Sequence, residues 1–154
     1  HGGGHEKGYR SGTLNVAGIV GLGKASEIAR KKLPEYENAL KLRNQLEEEL
    51  CKIEGVTING HKENRLPNTT NISIDGVDAE ALIIKLRDDF AIASGSACTS
   101  ADVLPSHVIM AMCDDEDKAF SSLRISLGKK TSRIEIHKFS KIFKEKIDSI
   151  KSII

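Results

Sequence analysis

Two long helical stripes of apolar residues, separated by short alternating segments, place the strongest constraint on the fold. In the first stripe, apolar side chains recur at three- and four-residue steps with charged residues between them: Tyr36, Ala39, Leu42, Leu46, Leu50 and Ile53. The second stripe runs from Phe139 to Ile154 with similar spacing. The apolar segments between the stripes are short and alternate with polar residues, which is typical of strands. This order of elements predicts an α/β or α+β layer fold.

Caps, prolines and alternation give the expected positions of the individual elements. Asn15 and Asp78 are typical N-cap residues because their side-chain oxygens accept hydrogen bonds from free backbone N–H groups. Pro34 and Pro105 suit the first turn of a helix, where no N–H group is needed. The expected helices begin at Asn15, Pro34, Asp78, Pro105 and about Ser132, and the expected strands are residues 56–58, 69–74, 90–93 and 123–127.

The charge and the cysteine content argue against several classes of protein. The chain carries 23 Lys and Arg residues against 22 Asp and Glu residues, so we expect no direct binding to nucleic acid. No apolar run approaches the roughly 20 residues that cross a bilayer, so we expect no membrane partner. Three cysteines without close spacing argue against a disulfide framework or a zinc site. We therefore expect a cytoplasmic protein without a bound metal.

A run of small and hydroxyl-bearing residues surrounds Cys98: Ser94-Gly95-Ser96-Ala97-Cys98-Thr99-Ser100. It follows directly on the apolar segment 90–93, so a buried strand would deliver the thiol at its end on permissive backbone. Small neighbours would leave the sulfur uncovered, and hydroxyl groups could solvate a thiolate. No local charge activates this thiol, however, and a cysteine that packs as a small apolar residue is the alternative.

Two further features point to anion binding, each with a structural alternative. Arg124 lies among alternating apolar residues, where its guanidinium either snorkels at a sheet edge or binds an anion such as a carboxylate. Residues 1–13, HGGGHEKGYRSGT, are rich in glycine, and such a loop could hold a phosphate with its backbone N–H groups. The loop lacks the Gly-Lys-Ser/Thr ending of a P-loop, so a tight connector is the alternative.

Four segments in a fixed order resemble the carboxy-terminal portion of a cysteine desulfurase: GGGHEKGYRSGTLN, PNTTNISI, SGSACTS followed by PSHV, and SSLRISLG. The chain is similar to the NifS/IscS-like group of the class V aminotransferases, which use pyridoxal 5'-phosphate (PLP). The resemblance implies a short, mostly antiparallel sheet packed against helices, the C-terminal domain of a fold-type I PLP-dependent transferase. It assigns residues 1–14 to the end of the PLP-binding large domain. Residues 15–154 then form the small domain, with the catalytic Cys loop at about 94–106.

The resemblance also implies roles for three residues. Cys98 matches the nucleophile that takes sulfur from L-cysteine and leaves L-alanine and an enzyme-bound persulfide. Arg124 matches the residue that holds the substrate carboxylate, a bidentate task that suits arginine. Thr13 matches the threonine that reaches the PLP phosphate of the neighbouring subunit. The implied partners are therefore L-cysteine, a second copy in a homodimer, and a sulfur-acceptor protein that serves iron–sulfur cluster assembly or tRNA or DNA sulfur modification.

Parts of the family pattern have no match in these 154 residues. The Schiff-base lysine of such enzymes lies in a Ser-x-His-Lys segment that this sequence lacks, so we expect the polypeptide alone to bind no PLP stably and to be inactive. Leu104 stands where an acidic residue is usual, and residues 110–113 replace a usual Arg-Ala-Leu-Gly. These differences leave open which sulfur-acceptor protein the Cys loop docks on. The alternatives to a desulfurase are a persulfide carrier, a dimerisation or docking module, and a selenocysteine lyase.

Overall fold

The computed structural model describes residues 2–94 and 104–152, and the chain divides into two compact units between Glu35 and Tyr36. The predicted nucleophile Cys98 lies outside the described residues. The helices are α1 (Val16–Lys31), α2 (Tyr36–Leu50), α3 (Ala79–Leu86), α4 (His107–Cys113), α5 (Glu116–Phe120) and α6 (Arg133–Lys151). The strands are β1 (Val56–Ile58), β2 (Thr69–Ile74), β3 (Ala93–Ser94) and β4 (Ser122–Ser126).

The first unit consists of the glycine-rich segment, helix α1 and a short 3₁₀ turn at Leu33–Glu35. The side chain of Asn15 accepts a hydrogen bond from the backbone N–H of Gly18 at 3.0 Å, which confirms the predicted N-cap. None of the residues of α1 is buried, and its large apolar side chains are exposed: Val16, Ile19, Val20, Leu22 and Ile28. The helix was thus predictable from its cap and periodicity without a buried face.

The second unit is built on a four-stranded sheet in the order β1-β2-β4-β3. All three strand pairs are antiparallel, which confirms the antiparallel sheet that the family resemblance implies. Strand β2 pairs along its whole length, with β1 on one side and β4 on the other. Strand β4 pairs on its other side with the two-residue strand β3, so it lies between β2 and β3.

One face of this sheet is apolar and forms the core with helices α2, α3 and α6. The predicted stripe of α2 is confirmed for Leu42, Leu46 and Leu50, whereas Tyr36 at the start of the helix is exposed. Helix α6 contributes Ile136, Phe139, Phe143 and Ile147. Its first turn is closed by a capping box, in which Ser132 and Glu135 satisfy each other's backbone N–H groups. The strands add Val56, Ile72, Ile74, Leu123 and Ile125 to this core.

Two elements differ from the sequence expectations. The strand expected at residues 90–93 is shorter and later, since β3 begins at Ala93. Phe90 instead follows the turn after helix α3, where its backbone N–H donates to the carbonyl of Leu86, and its ring packs edge-on against Phe139 with 5.0 Å between centroids. Helix α5 was not expected at all. It has five residues, too few for a periodic signal, and begins where the Asp115 side chain caps Lys118.

Candidate active site

The second face of the sheet is polar and carries Arg124. Because successive strand residues point to opposite faces, Arg124 shares its face with alternate residues of its own strand and with the residues paired opposite them. We call this surface the polar face, and it consists of Thr57, Thr69, Asn71, Ser73, Ser122, Arg124 and Ser126. Every member of the set has a hydrogen-bonding side chain, whereas the other face of the same strands is almost entirely apolar.

Arg124 is exposed at the middle of strand β4. It pairs with Asn71 of β2 on one side and with Ala93 of β3 on the other. Within residues 2–94 and 104–152, its guanidinium has neither a hydrogen-bond acceptor nor a carboxylate partner. Its charge is therefore available to an anion that approaches the polar face.

At one end of the polar face, buried side chains form a hydrogen-bonded network centred on Asn59, the residue after β1. The Nδ2 of Asn59 donates to the Oδ1 of Asn71 at 2.8 Å and to the Oγ of Ser122 at 3.0 Å. The Oδ1 of Asn59 accepts from the Oγ of Ser73 at 3.4 Å, and the Oγ of Ser122 donates to the carbonyl of Lys118 at 2.6 Å. Asn59 thus holds Asn71 and Ser122, which are the cross-strand partner of Arg124 and its neighbour on β4.

The predicted nucleophile follows the edge strand beside Arg124. The register pairs Ala93 with Arg124 and Ser94 with Leu123, and Cys98 is four residues further along the chain. Four residues of chain span at most about 14 Å between the Cα atoms of residues 94 and 98. The sheet register therefore ties the segment that contains Cys98 to the edge of the strand that carries Arg124.

The other two cysteines are placed differently. Cys51 lies just after helix α2, and partial burial, with the nearby Glu47 carboxylate, raises the pKa of its thiol. A raised pKa disfavours the thiolate, which is the nucleophilic form of a cysteine. Cys113 is the last residue of α4, and its Sγ donates to the carbonyl of Ile109 at 3.2 Å. Both residues are exposed.

The glycine-rich segment has an internal brace. The guanidinium of Arg10 donates to the carbonyls of Thr13 at 2.6 Å and Gly12 at 3.3 Å. Gly12 has φ +87°, a conformation that favours glycine. Thr13 is exposed, and in the part of the chain that the structure describes its hydroxyl has no hydrogen-bond partner. These two hydrogen bonds hold the backbone that carries Thr13 in place. They do not use its hydroxyl, which can donate to a phosphate oxygen.

A buried ionic cluster was not predicted from the sequence. Glu47 of α2 accepts a hydrogen bond from Arg65 and lies 3.9 Å from the Nε of Arg43. Burial is the main cause of a lowered pKa for Arg43, whose guanidinium also donates to the carbonyl of Leu66 at 3.4 Å. The cluster fastens α2 to the segment before β2. The sequence gives little sign of it, because Arg43 and Glu47 each follow a buried leucine of the apolar stripe.

Metal-ligand clusters and membrane-spanning helices are both absent from residues 2–94 and 104–152. These residues contain no group of three or more His, Cys, Asp or Glu side chains arranged to hold a metal ion. None of their helices is both long enough and apolar enough to cross a membrane.

Comparison with known proteins gives consistent results. The sequence model of the aminotransferase class-V family matches residues 3–139. The chain is 43% identical over 154 residues to the cysteine desulfurase IscS of Vibrio cholerae, covering 99% of this chain and 38% of that protein. The structure resembles the NifS-like protein of Rickettsia africae with a TM-score of 0.79 at 38% identity, over 96% of this chain and 39% of that one.

A third comparison is with DndA of Streptomyces lividans, whose structure matches with a TM-score of 0.59 at 35% identity, over 81% of this chain and 35% of that one. In each case the chain spans less than two fifths of its relative's length. The resemblance to the NifS/IscS-like group and the predicted α+β fold are confirmed by these matches. The family model covers most of the sequence, and the chain belongs to the aminotransferase class-V family.

Proposed function

We propose that this chain is the C-terminal part of a PLP-dependent cysteine desulfurase, which removes sulfur from L-cysteine and gives L-alanine and a persulfide on Cys98. The observation that carries the proposal is the register of β3 and β4. It sets Arg124, a guanidinium without a partner in the described part of the chain, beside the strand that leads into the Cys98 segment.

Arg124 would bind the carboxylate of the substrate. A guanidinium presents two parallel N–H donors that match the two oxygens of a carboxylate, and it stays charged at every physiological pH. Strand β4 is held on both sides by neighbouring strands, so the Arg124 backbone has a fixed position. A cysteine bound there by its carboxylate would lie next to β3, the strand after which the Cys98 segment follows in the sequence.

Cys98 would accept the sulfur. Its thiolate forms a bond to the substrate sulfur while the bond between that sulfur and the substrate carbon breaks. The electron pair of the broken bond stays with the carbon, which is then protonated to give alanine, and the protein keeps a persulfide. The raised pKa of Cys51, and the hydrogen bond that the Cys113 thiol donates to the carbonyl of Ile109, favour Cys98 over the other two cysteines for this role.

The glycine-rich segment would hold one end of the cofactor. The free hydroxyl of Thr13, on backbone braced by Arg10, fits a phosphate oxygen. When bound, PLP supplies the electron withdrawal that weakens the bond to sulfur. Residues 1–14 are accordingly proposed as the end of the large domain and residues 15–154 as the small domain. The chain by itself is proposed to be inactive.

The proposal extends to the setting in which the protein works. A homodimer would let Thr13 of one subunit serve the cofactor of the other. The persulfide would pass to an acceptor protein, an iron–sulfur scaffold or a thiolation carrier. A reducing cytoplasm suits both a free persulfide and three cysteines without paired spacing.

Kinetics of the protein expressed from the complete reading frame test this proposal. Arg124→Lys keeps the charge but loses the bidentate geometry, and Arg124→Gln loses both, so we expect KM for L-cysteine to rise roughly tenfold and a hundredfold or more, respectively. Lys129→Gln, which removes a charge from an exposed residue after β4, is the matched control and should leave KM unchanged. An unchanged KM in Arg124→Gln would contradict the proposed carboxylate site.

A further inference from the structure

In the network around Asn59, the donor and the acceptor of each hydrogen bond can be assigned. A serine or threonine hydroxyl has one proton to donate. The proton of Ser122 goes to the carbonyl of Lys118, so Ser122 must accept from the Asn59 amide. The proton of Ser73 goes to the Oδ1 of Asn59, so the Thr57 hydroxyl, 2.8 Å away, must donate to Ser73. These bonds fix which end of the Asn59 amide carries its N–H groups.

The direction of the network fixes the orientation of Asn71. The N–H groups of Asn59 point at the side-chain oxygen of Asn71, so the Nδ2 of Asn71 must lie on the other side of its amide. Within residues 2–94 and 104–152 this Nδ2 has no acceptor. A side chain that is held by its oxygen therefore presents two free N–H donors.

These donors lie beside Arg124. Asn71 and Arg124 are direct partners in the antiparallel pair, and the Cβ atoms of such partners are about 4.5–5.5 Å apart on the same face. A neutral amide donor and a guanidinium therefore stand side by side, and both lack an acceptor in the described residues. An anion with two oxygens is the ligand that such a pair suits.

We propose that the Asn71 amide is a second donor to the carboxylate that Arg124 binds, and that Asn59 is the positioning residue that orients it. The inference deepens the proposed function and rests on its assignment of Arg124. The ligand class is the carboxylate of an amino acid, held by one charged and one neutral donor.

Asn71→Asp is the sharpest variant. An aspartate keeps the side-chain oxygen that accepts from Asn59, so the network and the fold are retained. It removes both N–H donors and sets a carboxylate beside Arg124, where it competes with the ligand. Asn71→Leu removes the donors without adding a charge. Asn44→Asp introduces the same charge at an exposed position of helix α2, which packs on the opposite, apolar face of the sheet, and is the matched control.

The test uses two readouts. In the ¹⁵N-labelled chain, titration with sodium acetate should shift the Asn71 side-chain amide and the Arg124 Nε–H signals with one shared dissociation constant. Asn71→Asp and Asn71→Leu should each weaken acetate binding at least about fivefold, since a hydrogen bond to a charged group is lost. In the protein from the complete reading frame, the same variants should raise KM for L-cysteine by a similar factor. Asn44→Asp should change neither quantity.

Failures of the two proposals are distinguishable. If Arg124→Gln leaves acetate binding and KM unchanged, the carboxylate site itself is wrong. If Arg124→Gln weakens both but Asn71→Leu weakens neither, the role of Asn71 is overturned, and any effect of Asn71→Asp is then electrostatic. Asn59→Asp loses the donors that hold Asn71 and should raise KM with unchanged kcat. A fall in kcat at constant KM would overturn the positioning role.

Discussion

The two faces of the sheet are made by the same strands, yet different interactions stabilise them. Strand β2 turns Thr70, Ile72 and Ile74 toward the helices, and it turns Asn71 and Ser73 toward the polar face. On the apolar face, stabilisation comes from the area removed from water. On the polar face, buried groups are hydrogen-bonded, and each bond adds only about 0.5–1.5 kcal/mol net.

The two faces separate the residues that stabilise this domain from those that present groups to a ligand. Burial of the apolar face against helices α2, α3 and α6 stabilises the sheet. The network of Asn59 adds little net stability but fixes the direction of specific donors beside Arg124. Substitutions on the apolar face should therefore change the free energy of unfolding, and substitutions at the exposed end of the polar face should change binding.

The largest effect on stability is expected from the apolar face. Ile72 is fully buried at the centre of the sheet, so Ile72→Ala should lower the free energy of unfolding by about 2–5 kcal/mol through lost burial and a cavity. Ser126→Ala, at the exposed end of the polar face, should change it by less than about 0.5 kcal/mol. Urea denaturation of both variants measures the difference, and similar losses would contradict the division between the faces.

A smaller effect of opposite sign is expected from a buried threonine on the apolar face. Thr70 is buried on the apolar face, and its hydroxyl has no hydrogen-bond partner, so Thr70→Val should stabilise the protein by about 1 kcal/mol. Thr57→Val makes the same change on the polar face, where the hydroxyl bonds to Ser73, and should destabilise by about 1 kcal/mol. Thermal unfolding of the two variants gives the sign, and equal signs would refute the assignment of the two faces.

Much of the fold follows from local signals in the sequence. The caps Asn15 and Asp78 and the stripes of α2 and α6 were predictable because capping and helical periodicity are properties of neighbouring residues. The strand expected at 90–93 was placed too early. Packing of Phe90 against Phe139, which lies 49 residues further along the chain, overrides the local β preference.

The candidate site was predictable in part. Arg124 stands out because a charge among alternating apolar residues is unusual. The network around it could not be predicted, because Asn59 meets Asn71 and Ser122 across separations of 12 and 63 residues. Asparagine after a short strand is an ordinary turn residue, and only the register of β1, β2 and β4 turns it toward the site.

The proposed function depends on the transfer of sulfur to Cys98 from a substrate held at Arg124. Mass spectrometry of the protein from the complete reading frame, alkylated after incubation with L-cysteine, tests it most directly. We expect one additional sulfur atom on the peptide that contains Cys98, none on those with Cys51 or Cys113, and loss of the additional sulfur in Arg124→Gln at low substrate. An unmodified Cys98 peptide during alanine formation, or undiminished alanine formation by Cys98→Ser, would contradict the claim.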